Sequence, residues 1–148
     1  MIHTTLRRFT IVLFSLLSLS CLQVNASDAV TLKPDNFTLY VSEREDNAVL
    51  LAVEKLQADF NKVMGYTPQR TTSIPGKDKI VLMIVNEKTR TSLPSSFLKP
   101  LDDFESHRVW CDVSKNRIYL QGKDMRGTIY AIYTFSEQIL GVPPLWYF

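Results

Sequence analysis

The chain is poor in the residues that carry most protein chemistry. It has two cysteines and two histidines in 148 residues. His3 and Cys21 lie in the first 26 residues, which read as a leader, so the remainder keeps only His107 and Cys111. A single cysteine excludes an internal disulfide there. A lone histidine with no cysteine or aspartate at ligand spacing gives no zinc site of familiar form, so no metal ligands and no cofactor are assigned. A thiol nucleophile would need His107 as its base, and Cys111, between Trp110 and Asp112 in a strand-like run, is expected to be a buried, inert thiol. The nucleophile-elbow pattern G-x-S-x-G is also missing.

An excess of one charge is lacking too. The 17 Lys and Arg exceed the 15 Asp and Glu by two, and Arg7 and Arg8 supply that whole excess. Beyond the leader the charges balance, which excludes a nucleic-acid partner, because phosphate binding needs a basic face. A neutral ligand such as a glycan stays open.

No apolar run reaches the roughly 20 residues that span a bilayer. Phe9 to Val24 is apolar over only about 16 residues. With Arg7 and Arg8 before it and Val24-Asn25-Ala26 matching a small-x-small cleavage site, residues 1–26 read as a signal peptide. The protein is then exported, periplasmic or extracellular, without a transmembrane anchor. Lipidation at Cys21 is the less favoured alternative, since serine stands three positions before the cysteine.

What remains is patterned. Phe37 to Val41 alternates as a short strand. Val49, Ala52, Val53, Leu56, Phe60 and Val63 recur at helical spacing, with Glu54, Lys55, Gln57, Asp59 and Lys62 on the other faces. Asp46 is the expected N-cap, and Gly65 the left-handed stop. Gln69 to Ser73 is strand-like, and Lys79 to Val85 is a continuous apolar run, expected as a central strand covered on both faces. The irregular stretch Asn86 to Glu105 is given a short helix near Ser95 to Leu98. His107 to Val113 and Arg117 to Gln121 form a hairpin around Ser114-Lys115-Asn116. A second helix spans Met125 to Leu140, with Ile129, Ile132, Tyr133, Ser136, Ile139 and Leu140 as its expected buried stripe, and Gly141 ends it. Two helices and one sheet make an α/β (α+β) two-layer sandwich: a mixed sheet of about four to five strands with both helices on one face.

The candidate sites are weak on their own residues. Gly122 to Thr128 has the glycine spacing of a phosphate loop but lacks the lysine that reaches terminal phosphates. It reads instead as a strand-to-helix turn with Asp124 as N-cap and Gly127 letting the helix lie close to the sheet. The acidic groups Glu43, Glu45, Asp46 and Asp102, Asp103, Glu105 are expected to be solvated rather than a catalytic carboxylate pair. Asn36-Phe37-Thr38 matches a glycosylation sequon and is given no weight. Trp110, Tyr119 and Trp146 are candidate sugar-stacking aromatics. No catalytic residue is assigned, and the ligand-binding residues are left unknown.

The block Arg126-Gly127-Thr128-Ile129-Tyr130, followed by Ser136-Glu137-Gln138 and Gly141, is similar to the end of the small α/β domain that precedes the barrel in several glycoside hydrolases. The helix from Asp46 to Gly65 resembles the first helix of that domain, and Pro144-Leu145-Trp146-Tyr147 resembles the start of the barrel. The family resembled is glycoside hydrolase family 115, the α-glucuronidases acting on xylan side chains. Family 67 α-glucuronidases and family 20 hexosaminidases share the plan. The likeness covers about residues 30 to 148 and departs in the longer link Leu140 to Leu145. It implies a non-catalytic accessory domain over residues 27–141, and a linker to an absent catalytic barrel beginning at 142–148. In that reading the chain is a fragment, and its partner is the barrel, with polysaccharide a possible second. The barrel would dock on an apolar patch formed by Val142 to Phe148, with Pro144, Leu145, Trp146, Tyr147 and Phe148 as the interdomain interface. Catalytic residues in these families sit on the barrel, so none carries over. A free-standing glycan-binding or interaction module is the alternative.

Overall fold

The structure, a computed structural model, describes residues 29–88 and 98–143. The leader, the expected helix near Ser95 and residues 144–148 fall outside the described residues. Five strands and two helices follow in the order β1 (Phe37–Tyr40), α1 (Asn47–Met64), β2 (Arg70–Thr71), β3 (Ile80–Asn86), β4 (His107–Asp112), β5 (Arg117–Gly122) and α2 (Met125–Gln138). The sheet runs β2-β1-β3-β5-β4, parallel except for β4, which pairs antiparallel with β5. This is the expected mixed α/β sandwich.

Local chemistry explains the element ends. The Asp46 carboxylate accepts the Ala48 N–H at 2.9 Å at the start of α1. Gly65, at φ 65°, closes the helix with its N–H on Asn61 O. A left-handed residue there is cheap only for glycine. Asn116, at φ 54°, turns the hairpin between β4 and β5. Strand β3 is apolar from Ile80 to Val85 and lies mid-sheet, buried from Val81 to Asn86.

Both helices cover one sheet face. Phe37 and Leu39 of β1, Leu82 and Ile84 of β3, and Ile118 and Leu120 of β5 meet Val53, Leu56 and Phe60 of α1 and Ile132 and Phe135 of α2. The other face buries Tyr40, Val81, Met83, Val85, Leu98 and Tyr119. Replacing Leu56, which is fully buried, with alanine should cost about 2–5 kcal/mol in a denaturant melt. A change near zero would show that Leu56 does not face the sheet.

The helix phases differ from expectation in two places. The buried residues of α2 are Gly127, Thr128, Ala131, Ile132, Phe135 and Ser136. Of the expected stripe, Ile132 and Ser136 are buried and Ile129 and Leu140 partly buried, while Tyr133 and Ile139 are not. Tyr133 is 43% exposed and Ile139 61%. Two small polar residues enter the stripe because they are satisfied internally: Thr128 Oγ1 donates to Asp124 O at 2.8 Å, and Ser136 Oγ to the Asp59 carboxylate. Asp59 is correspondingly buried between the helices, although its charge suggests an outer face, while Val63 is half exposed. Cys111 is exposed rather than buried. Partial burial, then the neighbouring Asp112 charge, push its pKa up, which disfavours the thiolate.

Candidate functional site

In an open α/β sheet, ligands bind beyond the carboxyl ends of the parallel strands. Here β3 ends at Asn86 and β5 at Gly122, and both helices begin at that same end. The resulting cleft, of about 310 Å³, is lined by Asp46, Asn86, Lys88, Phe104, Asp124, Met125 and Arg126.

The carboxylates, Asn86 and Arg126 of the wall are already tied to the fold. Buried Glu45 accepts the Asn86 side-chain amide at 3.1 Å, and Asn86 Oδ1 accepts the Lys88 N–H at 3.0 Å. The Asp46 carboxylate caps α1. The Asp124 carboxylate accepts the Gly127 N–H and, through its other oxygen, the Glu105 N–H, both at 3.0 Å. It thereby joins the start of α2 to the loop before β4. The glycines make this closeness possible. A Cβ on Gly122 would collide with the Thr128 amide, and one on Gly127 with Ser106 O. The glycine-spaced segment is thus a strand-to-helix turn, as expected. Arg126 pairs with Glu105 at 2.6 Å on the rim.

The hydrogen bond from Gly127 N–H holds the Asp124 carboxyl below the usual carboxylate range, against a smaller upward push from burial; Glu105 N–H and the Lys88 charge add to the lowering. A carboxyl depressed in the folded state stabilises above its unfolded value of about 3.9, and that stability is lost as pH falls through the folded value. Wild type should therefore lose more stability between neutral pH and about pH 3 than Asp124→Asn, which keeps a capping oxygen but cannot titrate. Denaturant midpoints across that range check this, and parallel curves would contradict it.

The exposed lining of the cleft is mostly apolar, so it can hold a small ligand with an apolar face. Phe104, 73% exposed, stands at its mouth as an apolar face. The cleft carboxylates Asp46 and Asp124 serve as helix caps, and the lining contains no thiol or imidazole. Among the described residues, no group of three or more His, Cys, Asp or Glu could hold a metal ion.

The structure disperses the aromatic candidates. Tyr119 is fully buried, with Trp110 stacked on it at 4.2 Å, so Tyr119 is no sugar platform. Trp110 is half-buried, donates to Gln121 Oε1 at 3.4 Å, and lies under the Lys99 ammonium. Trp146 and the proposed interface Pro144, Leu145, Trp146, Tyr147 and Phe148 lie outside the described residues. Val142, expected in an exposed patch with them, is buried where its N–H returns to Ser136 O. His107 is exposed, bonded through Nε2 to Thr134 Oγ1 at 3.0 Å. Of the acidic groups, Glu43, Asp102 and Asp103 are solvated as expected, whereas Glu45 is buried as an acceptor. Asn86, Lys88 and Phe104 were not singled out from sequence. Asn86 carried a usable signal, as the first polar residue after the apolar run of a central strand.

No family model matches this chain, and no curated protein matches it. Among solved structures, it is similar to a family GH115 4-O-methyl-α-glucuronidase with specificity for decorated arabinogalactans, at TM-score 0.59 and 20% identity. That match covers 78% of this chain and 15% of the enzyme. A second structure, CpGH84D, matches at TM-score 0.46 and 16% identity, over 75% of this chain and 20% of that one. The chain thus spans about 15% of the length of the GH115 enzyme and shares the fold of that portion of a glycoside hydrolase.

Proposed function

We propose that this chain is a non-catalytic accessory domain of a secreted, carbohydrate-degrading glycoside hydrolase, of the kind that stands beside the barrel in α-glucuronidases acting on xylan. The observation that carries this reading is the fold match, in which most of this chain corresponds to a small part of a GH115 enzyme. The committed state of the cleft carboxylates supports a structural role, since both Asp46 and Asp124 are spent on helix caps. Catalysis then belongs to a barrel packed beside this domain, and Pro144 to Phe148 form the contact with it. Export through residues 1–26 fits such an enzyme, and no described helix is long and apolar enough to cross a membrane.

The test is turnover by the purified chain on aryl glycosides, decorated xylan and arabinogalactan. The expected rate is that of buffer. Turnover that co-purifies with the chain and falls on Asp124→Asn would overturn the reading.

Glycan binding by the domain itself is a second reading, favoured by the exposed Phe104 beside Asn86, Lys88 and Arg126. Retardation of the chain in a xylan-containing native gel, abolished by Phe104→Ala, would support it. Unchanged mobility would remove it.

A further inference from the structure

Main-chain bonding identifies an open sheet edge. Val81 N–H donates to Asn116 O and Glu87 N–H to Gly122 O, so the even-numbered residues of β5 serve β3. The odd-numbered residues of β5 therefore face β4. With Trp110 opposite Tyr119 and Arg108 opposite Gln121, the even-numbered residues of β4 bond to β5. His107, Val109 and Cys111 are left with N–H and C=O groups pointing outward, and no described main-chain group takes them. Exposed edges are ordinarily blunted by charged side chains, lysine above all, by proline, by a bulge or by shortness. The opposite edge, β2, is two residues long. β4 has six residues with no proline or lysine, and its charges, Arg108 and Asp112, are of opposite sign.

We infer that β4 pairs antiparallel with β4 of a second copy of this chain, extending the sheet across a two-fold axis at Trp110. The charges select the copy and the register. Residues opposed across an antiparallel pair share a face, so only pairings of equal parity are allowed. With Trp110 opposite itself, Arg108 faces Asp112 of the second copy, Asp112 faces its Arg108, and Val109 faces Cys111. This register opposes unlike charges at both ends and exchanges main-chain bonds between the outward residues Val109 and Cys111. The same axis brings the two α2 helices side by side, since α2 packs over β4 and β5. Tyr130, 42% exposed with its ring 6.0 Å from His107, and Tyr133 stand on α2 for that contact. The inference is independent of the proposed enzymatic context.

The experiment is sedimentation of the full chain across the micromolar range, with Arg108→Asp, Asp112→Arg and the double exchange, each checked for folding by circular dichroism. Wild type is expected to dimerise. Each single reversal should weaken the dimer about tenfold or more, because like charges then face each other twice, and the exchange should restore it. Alkylation at Cys111, read by peptide mass, should slow as wild-type concentration rises, which keeps the test decisive if a single variant fails to fold. A wild-type monomer throughout, alkylation independent of concentration, or a dimer indifferent to both reversals overturns the inference.

Discussion

Phe60→Ala should lower the unfolding free energy by about 3–5 kcal/mol, the range for truncating a fully buried aromatic. Phe60 projects from α1 into the space between both helices and the sheet. Its ring lies 4.9 Å from that of Phe37 on β1 and 5.9 Å from that of Phe135 on α2. Phe37 in turn meets Tyr66 edge-on at 5.4 Å. Truncation removes an apolar side chain from water-free surroundings, breaks ring contacts worth about 0.5–1.5 kcal/mol each beyond their area, and leaves a cavity between rigid elements. Urea unfolding followed by far-ultraviolet circular dichroism measures it. A loss below about 1 kcal/mol would mean that the two layers do not meet at this residue.

Asp124→Ala should cost about 2–4 kcal/mol, more than a helix cap alone. Losing the cap on α2 accounts for about 0.5–2 kcal/mol. The second oxygen of the same carboxylate holds the Glu105 N–H at 3.0 Å, and stranding a partly buried donor adds about 1–3 kcal/mol. Asp124→Asn should lose less than Asp124→Ala at neutral pH, because its one oxygen can still cap α2, although its amide nitrogen cannot accept the Glu105 N–H. Equal losses in the two variants would show that the capping oxygen alone contributes little at this position. The loop from Glu105 to Ser106 should also exchange its amides faster in Asp124→Ala, since it loses its tie to α2.

Much of the fold was legible because its signals are local. Asp46 and Gly65 mark the ends of α1, and Asp124 the start of α2, through caps made within a few residues, while α2 ends at Gln138 with Ile139 as its cap, ahead of the left-handed Gly141. The apolar run of β3 identified the central strand because only a strand covered on both faces tolerates it. The phase of α2 was less legible. Ile132 and Ser136 are buried as read, whereas Tyr133 and Ile139, which hydropathy also favoured, are exposed; Ser136 is satisfied inside by Asp59 of α1, a partner 77 residues away in sequence. A pairing of two polar residues across the core leaves no periodic trace. Cys111 misled for a similar reason: an apolar neighbourhood in sequence says nothing of whether the strand lies at an edge. The cleft was half legible. Its caps were visible, while Lys88 and Phe104 enter through loops whose path follows from tertiary packing.

The central claim is that this domain belongs to a larger glycoside hydrolase and does not itself catalyse. Sequencing the reading frame beyond the Phe148 codon tests it most directly. The account expects the frame, or one shifted from it, to continue into a barrel-length sequence bearing the carboxylates that hydrolysis requires. A stop codon followed by unrelated sequence would contradict it.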